Sequence, residues 1–230
     1  MVIYFSQREV VVPGQLLAKG PYQLGSNVYR ISQSIYSAVL GLAELRDNTI
    51  NVIPLRSCYI PRPGDLVIGL VVDVSVTSWT VDIASPYKAA LQVSDAFTRP
   101  IDPLKEDLRK YFDIGDYIVA KVLAFDRTRD PLLTVKEPPC GKIEKGTVVE
   151  ISPAKIPRLI GKRGSMIGMI KRELGCNILV GQNGRIWVHS DDPEVEALAV
   201  KVIKKIEVEA HTTGLTDRIR EFIRRARRRD

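Results

Sequence analysis

Two short proline-bearing breaks, Pro61-Arg62-Pro63-Gly64 and Glu137-Pro138-Pro139-Cys140-Gly141, constrain this chain more than any other feature. Proline fixes its own φ, removes a backbone donor and pushes the preceding residue out of the helical region. No long helix or central strand can run through either break. The 230 residues are therefore cut into three pieces, each the size of one small domain.

Each piece carries its own pattern. In residues 1–60, Val10-Val11-Val12 runs into the turn Pro13-Gly14, and residues 29–35 and 50–53 are rich in β-branched and aromatic side chains. Glycines and prolines separate these runs, as expected for a small antiparallel β unit. In residues 61–137, Leu66, Ile68, Leu70, Val72 and Val74 alternate along a strand. Trp79, Val81 and Ile83 face one way on the next, and Ala90, Leu91 and Val93 suggest a third. A helical pattern over 102–112 precedes strands at 117–125 and 132–136. Five short strands with a helix before the fourth predict a closed barrel of the OB type.

From residue 138 the pattern becomes mixed. A strand at Val148-Val149-Glu150-Ile151 leads to a helix ending at Ile160, then Gly161-Lys162-Arg163-Gly164. A second helix places Ile167, Ile170 and Leu174 on one face. Two strands come next, joined through Gly181-Gln182-Asn183-Gly184, in which Asn-Gly is a hairpin signal. A long helix begins with Asp192 as cap and Pro193 in its first turn. A final helix from about Asp217 sets Ile219, Phe222, Ile223 and Ala226 on one face, and over residues 218–230 seven arginines, 218, 220, 224, 225, 227, 228 and 229, stand against two acids, Glu221 and Asp230. That segment can hold an acidic surface or RNA, or simply dock by its apolar stripe.

The net formal charge is +7, with 45% hydrophobic residues, so the chain is globular and suits an anionic partner. No apolar run approaches the ~18 residues of a membrane span, and the start lacks a secretory pattern, so no membrane is expected and the compartment is read as the cytoplasm. Cys58, Cys140 and Cys176 are odd in number and widely spaced, which argues against disulfides and a zinc ribbon. His189 and His211 lie in no ligand spacing, and no cofactor or metal is expected. Residues 141–147 fail as a P-loop because the lysine after the last glycine is missing. Asp102, Glu106, Asp107, Asp113 and Asp116 read as solvated acids and caps, so no catalytic constellation emerges.

The Gly-x-x-Gly loop is the sharpest signal. Between two helices it lets a sugar-phosphate backbone approach the main chain and meet the second helix's N–H groups, with Lys162 and Arg163 adding charge. Strand, helix, basic Gly-x-x-Gly, helix, hairpin, helix is the order of a KH domain. Residues 158–167 closely resemble the KH signature. Residues 63–71, with 114–122 downstream, resemble the RNA-binding barrel named after ribosomal protein S-one. A β-rich unit, that barrel and one KH domain in this order resemble the KH-containing RNA-binding cap subunits of the archaeal exosome. The strand Trp79-Thr80-Val81-Asp82-Ile83 and the turn Gly181-Gln182-Asn183-Gly184 resemble matching pieces of those caps.

The resemblance implies a non-catalytic subunit, seated with other caps, three per ring, on an RNase PH-like exosome core and passing it single-stranded RNA 3′ ends. The expected fold is multi-domain β and α+β: an N-terminal antiparallel β domain (1–60) that docks on the core, an OB barrel (61–137), a KH domain (138–212) and a basic C-terminal helix (213–230). The expected RNA-binding residues are Arg158, Ile160, Gly161, Lys162, Arg163, Gly164 and Lys171 in the KH part. In the barrel they are Lys88, Arg99, Lys121, Arg127 and Arg129. Such barrels often stack RNA on two aromatics and a histidine; here Thr77, Thr80 and Gln92 stand at those places. Trp79, one residue off, is read as a packing residue, so barrel binding is expected to be mainly electrostatic. The other reading is a free RNA-binding translation or transcription factor, which would not need residues 1–60.

Overall fold

The computed structural model describes residues 2–55, 58–99, 106–210, 212 and 214–226. The expectations for Asp102, His211 and residues 227–230 lie outside the described residues. Two units separate, residues 1–57 and 58–230.

The first unit contains eight short strands: β1 (Val2–Ile3), β2 (Val10–Val11), β3 (Leu16–Lys19), β4 (Gln23–Leu24), β5 (Val28–Ile31), β6 (Ser34–Ser37), β7 (Gly41–Arg46) and β8 (Thr49–Pro54). They form two four-stranded sheets, β1-β3-β6-β5 and β2-β7-β8-β4. Every pair is antiparallel except β4–β8. Leu17, Ala18 and Ile35 from one sheet join Val11, Ala43, Ile50 and Val52 from the other in one core. The single strand expected over 29–35 is instead a hairpin. Its two-residue turn, Ser32-Gln33, has no glycine to mark it, and Ser32 adopts φ 53°. The fold-back registers Tyr29 opposite Tyr36, their rings stacked at 5.6 Å, and buries Ile35. The β7–β8 turn uses Asp47 and Asn48, both at positive φ, which matches the strand twist.

In the second unit, β9 (Leu66–Val74), β10 (Ser78–Asp82), β11 (Lys88–Gln92), β12 (Tyr117–Ala124) and β13 (Leu132–Thr134) close a barrel. Sheet order is β13-β11-β10-β9-β12, and β12 pairs back onto β13. The β11–β13 pair is parallel, and β14 (Gly141–Lys142) pairs with β12 on the edge opposite β9. This is the expected five-stranded OB closure, but β9 sends Val67 and Val71 into the barrel core rather than the alternating Leu66, Leu70 and Val72, which are half-buried. The helix expected over 102–112 is absent from its described part, which holds a single 3₁₀ turn, Leu108–Lys110, capped by Asp107. A one-turn helix, α1 (Val93–Ala96), succeeds β11. Trp79 is fully buried in the barrel core and donates its indole N–H to the Phe112 carbonyl at 2.9 Å, so its packing role holds.

Next come β15 (Thr147–Glu150), α2 (Ile156–Ile160), α3 (Ser165–Leu174), β16 (Asn177–Val180), β17 (Arg185–His189), α4 (Pro193–Glu209) and α5 (Leu215–Ala226). The sheet β15-β17-β16 is antiparallel and buries Val149, Ile178, Ile186 and Val188 against the helices. Asp192 caps α4 by accepting from the Glu194 N–H at 2.9 Å. The closing helix sends Leu215, Ile219 and Ile223 into the same core. Three of its arginines are engaged: Arg218 with Glu209, Arg220 with Glu173 and Asp217, and Arg225 with Glu221.

Barrel and KH domain are locked by the β16–β17 hairpin. Asn183 is 2% exposed. Its amide donates to the carbonyls of Ile68 (2.8 Å) and Ile83 (3.0 Å) and accepts from the Ile68 N–H (3.3 Å). The Gln182 N–H reaches the Leu66 carbonyl at 2.8 Å. Arg185 bridges Asp82 of the barrel (2.5 Å) and Glu150 (2.7 Å), and donates to the Asp82 carbonyl. Burial works against its charge, but the two carboxylates outweigh it and hold the guanidinium above its ordinary pKa. A turn legible only as a hairpin thus satisfies the edge of another domain.

Candidate nucleic-acid interface

The Gly161–Gly164 loop is built by backbone conformation. Gly161 ends α2 at φ 73°, and a Cβ there would lie 2.8 Å from the Met166 nitrogen. Arg163 and Gly164 are both left-handed, at φ 53° and 77°. These turns aim the chain at the start of α3 with no side chain capping it. The Gly164 N–H donates to the Gly161 carbonyl at 3.2 Å and the Ser165 N–H to the Lys162 carbonyl, so an anion at this end meets the positive end of the helix dipole. Lys162, Arg163 and Arg158 are exposed, and none forms an ion pair among the described residues. Ile160 is half-buried and packs against the KH core. Lys171 is exposed six residues along α3, about 9 Å from its start.

The barrel residues do not form one patch. β10 and β11 pair from Ser78 opposite Gln92 to Asp82 opposite Lys88. Lys88 and Gln92 thus lie about 13 Å apart along the strand. Arg127 and Arg129 belong to the loop before β13, whose register with β11 brings it to the Lys88 end. Asp126 orders that loop by accepting from Thr128 and Arg129, and those hydrogen bonds, the Thr128 hydroxyl's foremost, hold its carboxyl below the usual range. Tyr87 and Phe125 meet edge to face there at 4.8 Å. Lys121 is taken up in an ion pair with Glu137 at 3.2 Å.

At the Gln92 end lies an open groove of ≈ 710 Å³, lined among others by Thr77, Gln92, Phe97, Thr98, Arg99 and Lys136. Of the five basic barrel residues expected to bind, only Arg99 lines it. Arg99 donates to the Tyr111 hydroxyl at 3.0 Å, and that hydroxyl donates to Glu106. Lys136, which sequence reasoning passed over, is 3.9 Å from Asp95. Thr77 and Gln92, two of the positions where stacking side chains are missing, are exposed in the groove; Thr80 does not line it. The arrangement offers hydrogen-bonding edges, two cations and one aromatic wall.

Three family descriptions match in order: "Exosome RNA binding protein RRP4 N-terminal domain" over residues 8–56, "RRP4, S1 domain" over 58–124 and "KH domain" over 146–194. The exosome complex component Rrp4 of Thermococcus kodakarensis is 53% identical over 96% of this chain and 87% of its own length. This chain belongs to the Rrp4 family. The Rrp4 of Thermofilum pendens is 47% identical over 97% of this chain and 95% of its own. A crystal structure provisionally designated an exosome complex RNA-binding protein superposes with a TM-score of 0.71. It is 48% identical and covers 75% of this chain and 98% of that one. Among the described residues no helix is long and apolar enough to cross a membrane.

Within this Rrp4 chain, sequence reasoning found the KH loop because its four residues are contiguous. It missed Phe97, Thr98 and Lys136 because they lie just past regular elements and are separated by up to thirty-nine positions. The one available signal was the basic-aromatic alternation Phe97-Thr98-Arg99.

Proposed function

We propose that this chain is a non-catalytic RNA-binding subunit of an exosome complex. In this reading it caps an RNase PH-like ring, three caps per ring, in the cytoplasm, and delivers RNA 3′ ends to active sites on other subunits. The observation that carries it is the Rrp4 N-terminal match joined to two RNA-binding modules in one chain. A free translation or transcription factor would leave residues 1–60 without a purpose. Of sixteen exposed large apolar side chains among the described residues, eleven lie in 2–55. Val10, Leu42 and Ile53 stand in one cross-strand row, with Val12, Leu40 and Leu55 beside it. We assign core docking to this face, which includes the Glu9–Gly14 segment; such a concentration suits a protein partner.

Phosphate is held at the Gly161–Gly164 loop by the α3 dipole, Lys162 and Arg163, flanked by Arg158, Ile160 and Lys171. The barrel adds Arg99 at its groove, with Lys88, Lys121, Arg127 and Arg129 as further cations along the barrel. Mixing the full chain with an RNase PH-like hexamer and labelled single-stranded RNA tests the reading. The chain should bind RNA without shortening it and co-elute with the hexamer, and removing residues 1–57 should abolish co-elution. Phosphate-dependent release of nucleoside diphosphates by the pure chain would overturn it.

A further inference from the structure

We infer that Phe97 is the base-stacking residue of the barrel, replacing the aromatics absent at Thr77, Thr80 and Gln92. This rests on the RNA-binding reading above and adds the residue that gives the groove a nucleobase site. The groove needs such a wall to hold a base rather than only a phosphate, and Phe97 is the aromatic side chain that lines it.

Its setting is that of a fixed platform. Phe97 is half-buried just beyond α1. Around it, Tyr111 packs at 4.6 Å, Phe112 lies nearly parallel at 6.4 Å and 12°, and the buried Trp79 meets it edge to face at 6.2 Å. Trp79 is itself held by its hydrogen bond to the Phe112 carbonyl. An aromatic so backed loses little rotamer freedom when a base lies on it. The rest of the groove supplies what a nucleotide requires. Gln92 presents an amide, able to donate and accept at a base edge. Arg99, steadied by Tyr111, and Lys136 supply charge for the phosphates on either side. A volume of ≈ 710 Å³ falls within the roughly 300–1,000 Å³ of small-molecule sites in general. Sequence reading found no stacking side chain on the strands and expected mainly electrostatic binding; Phe97 supplies one from the segment after them.

The test uses the full chain and a short adenine oligoribonucleotide. Phe97→Leu keeps an apolar side chain against Trp79 and Phe112 but removes the π face. Phe97→Tyr keeps the face. Affinity should fall by about five- to a hundred-fold in Phe97→Leu, the cost of one stacked base, and be restored in Phe97→Tyr. The salt dependence should stay parallel to that of the unaltered chain, because every cation is still in place. In Phe97→Trp, RNA should quench the added indole fluorescence. A thermal melt of each variant guards against unfolding. A folded Phe97→Leu chain with unchanged affinity, or an unquenched Phe97→Trp, would overturn the stacking role while leaving RNA binding intact. Failure of the unaltered chain to bind RNA would instead overturn the underlying function.

Discussion

The Gly161–Gly164 loop and the barrel groove offer a single strand two different things. Among the described residues, the loop gives a helix dipole and two exposed cations that form no ion pair, and presents no aromatic face. The groove gives an aromatic wall, amide and hydroxyl edges, and cations partly occupied by Tyr111 and Asp95. Phosphate contacts position a strand, whereas base contacts carry sequence information. The loop should therefore set affinity and its dependence on salt, and the groove should set preference among bases. The Asn183 and Arg185 lock holds the domains bearing them in one unit, so a strand long enough to reach both sites would bind them as a tethered pair.

The largest effect that would sharpen this contrast is Trp79→Ala. Truncating a fully buried tryptophan costs about 3–5 kcal/mol, and Phe97 and Phe112 lose their support. Chemical denaturation should show the barrel destabilised. If the KH domain stays folded, oligonucleotides should keep their salt-sensitive binding yet lose base preference.

Asn183→Ala comes next. It removes the Asn183 partner of the Ile83 carbonyl and the Ile68 N–H and leaves the Ile68 carbonyl only the long 3.5 Å contact from Arg185, a loss of about 1–3 kcal/mol per unpaired buried group before water enters. A melt should report the instability. More tellingly, a long oligonucleotide should lose more affinity than a short one, since only the long one spans both sites. Equal losses would break the picture of one strand held at two places.

Reversing charge at the loop, with Lys162→Asp and Arg163→Asp together, should weaken RNA binding on the order of tenfold at low salt. Stability should change little, because acidic residues suit a helix N-terminus. Arg99→Ala should have the smallest effect, a few-fold loss with a slope flatter by roughly 0.7. An Arg99→Ala loss larger than that of the loop variant would invert the assignment of roles.

The difference between the two sites also explains what could be read in advance. The KH loop is four adjacent residues whose chemistry depends on backbone geometry that glycine announces. The alternation Trp79, Val81, Ile83 marked a buried face correctly, whereas on β9 the near-continuous apolar run hid the register, and the barrel core takes Val67 and Val71 rather than the alternating Leu66, Leu70 and Val72. Trp79 gave its packing role away by standing one residue out of register with a stacking position. Phe97 could not be placed, because α1 is one turn long and the segment beyond it has no period. Lys136 lies thirty-nine residues further on, and only β13 pairing beside β11 brings it to the same groove. The hairpin at Ser32-Gln33 was hidden because no glycine marks its turn. Asn183 was legible as a turn residue but not as a latch, since its partners Ile83 and Ile68 lie 100 and 115 residues away.

The division of roles turns on one measurement: binding isotherms of the unaltered chain, Lys162→Asp with Arg163→Asp, and Phe97→Leu on one oligonucleotide across a range of salt. Plotted as log affinity against log salt, the loop variant should cross toward a flatter line, by roughly 0.7 for each phosphate no longer neutralised. Phe97→Leu should fall as a line parallel to the unaltered chain. Two variants with the same slope change, or a Phe97→Leu line superimposed on that of the unaltered chain, would contradict the division between a charge-reading loop and a base-stacking groove.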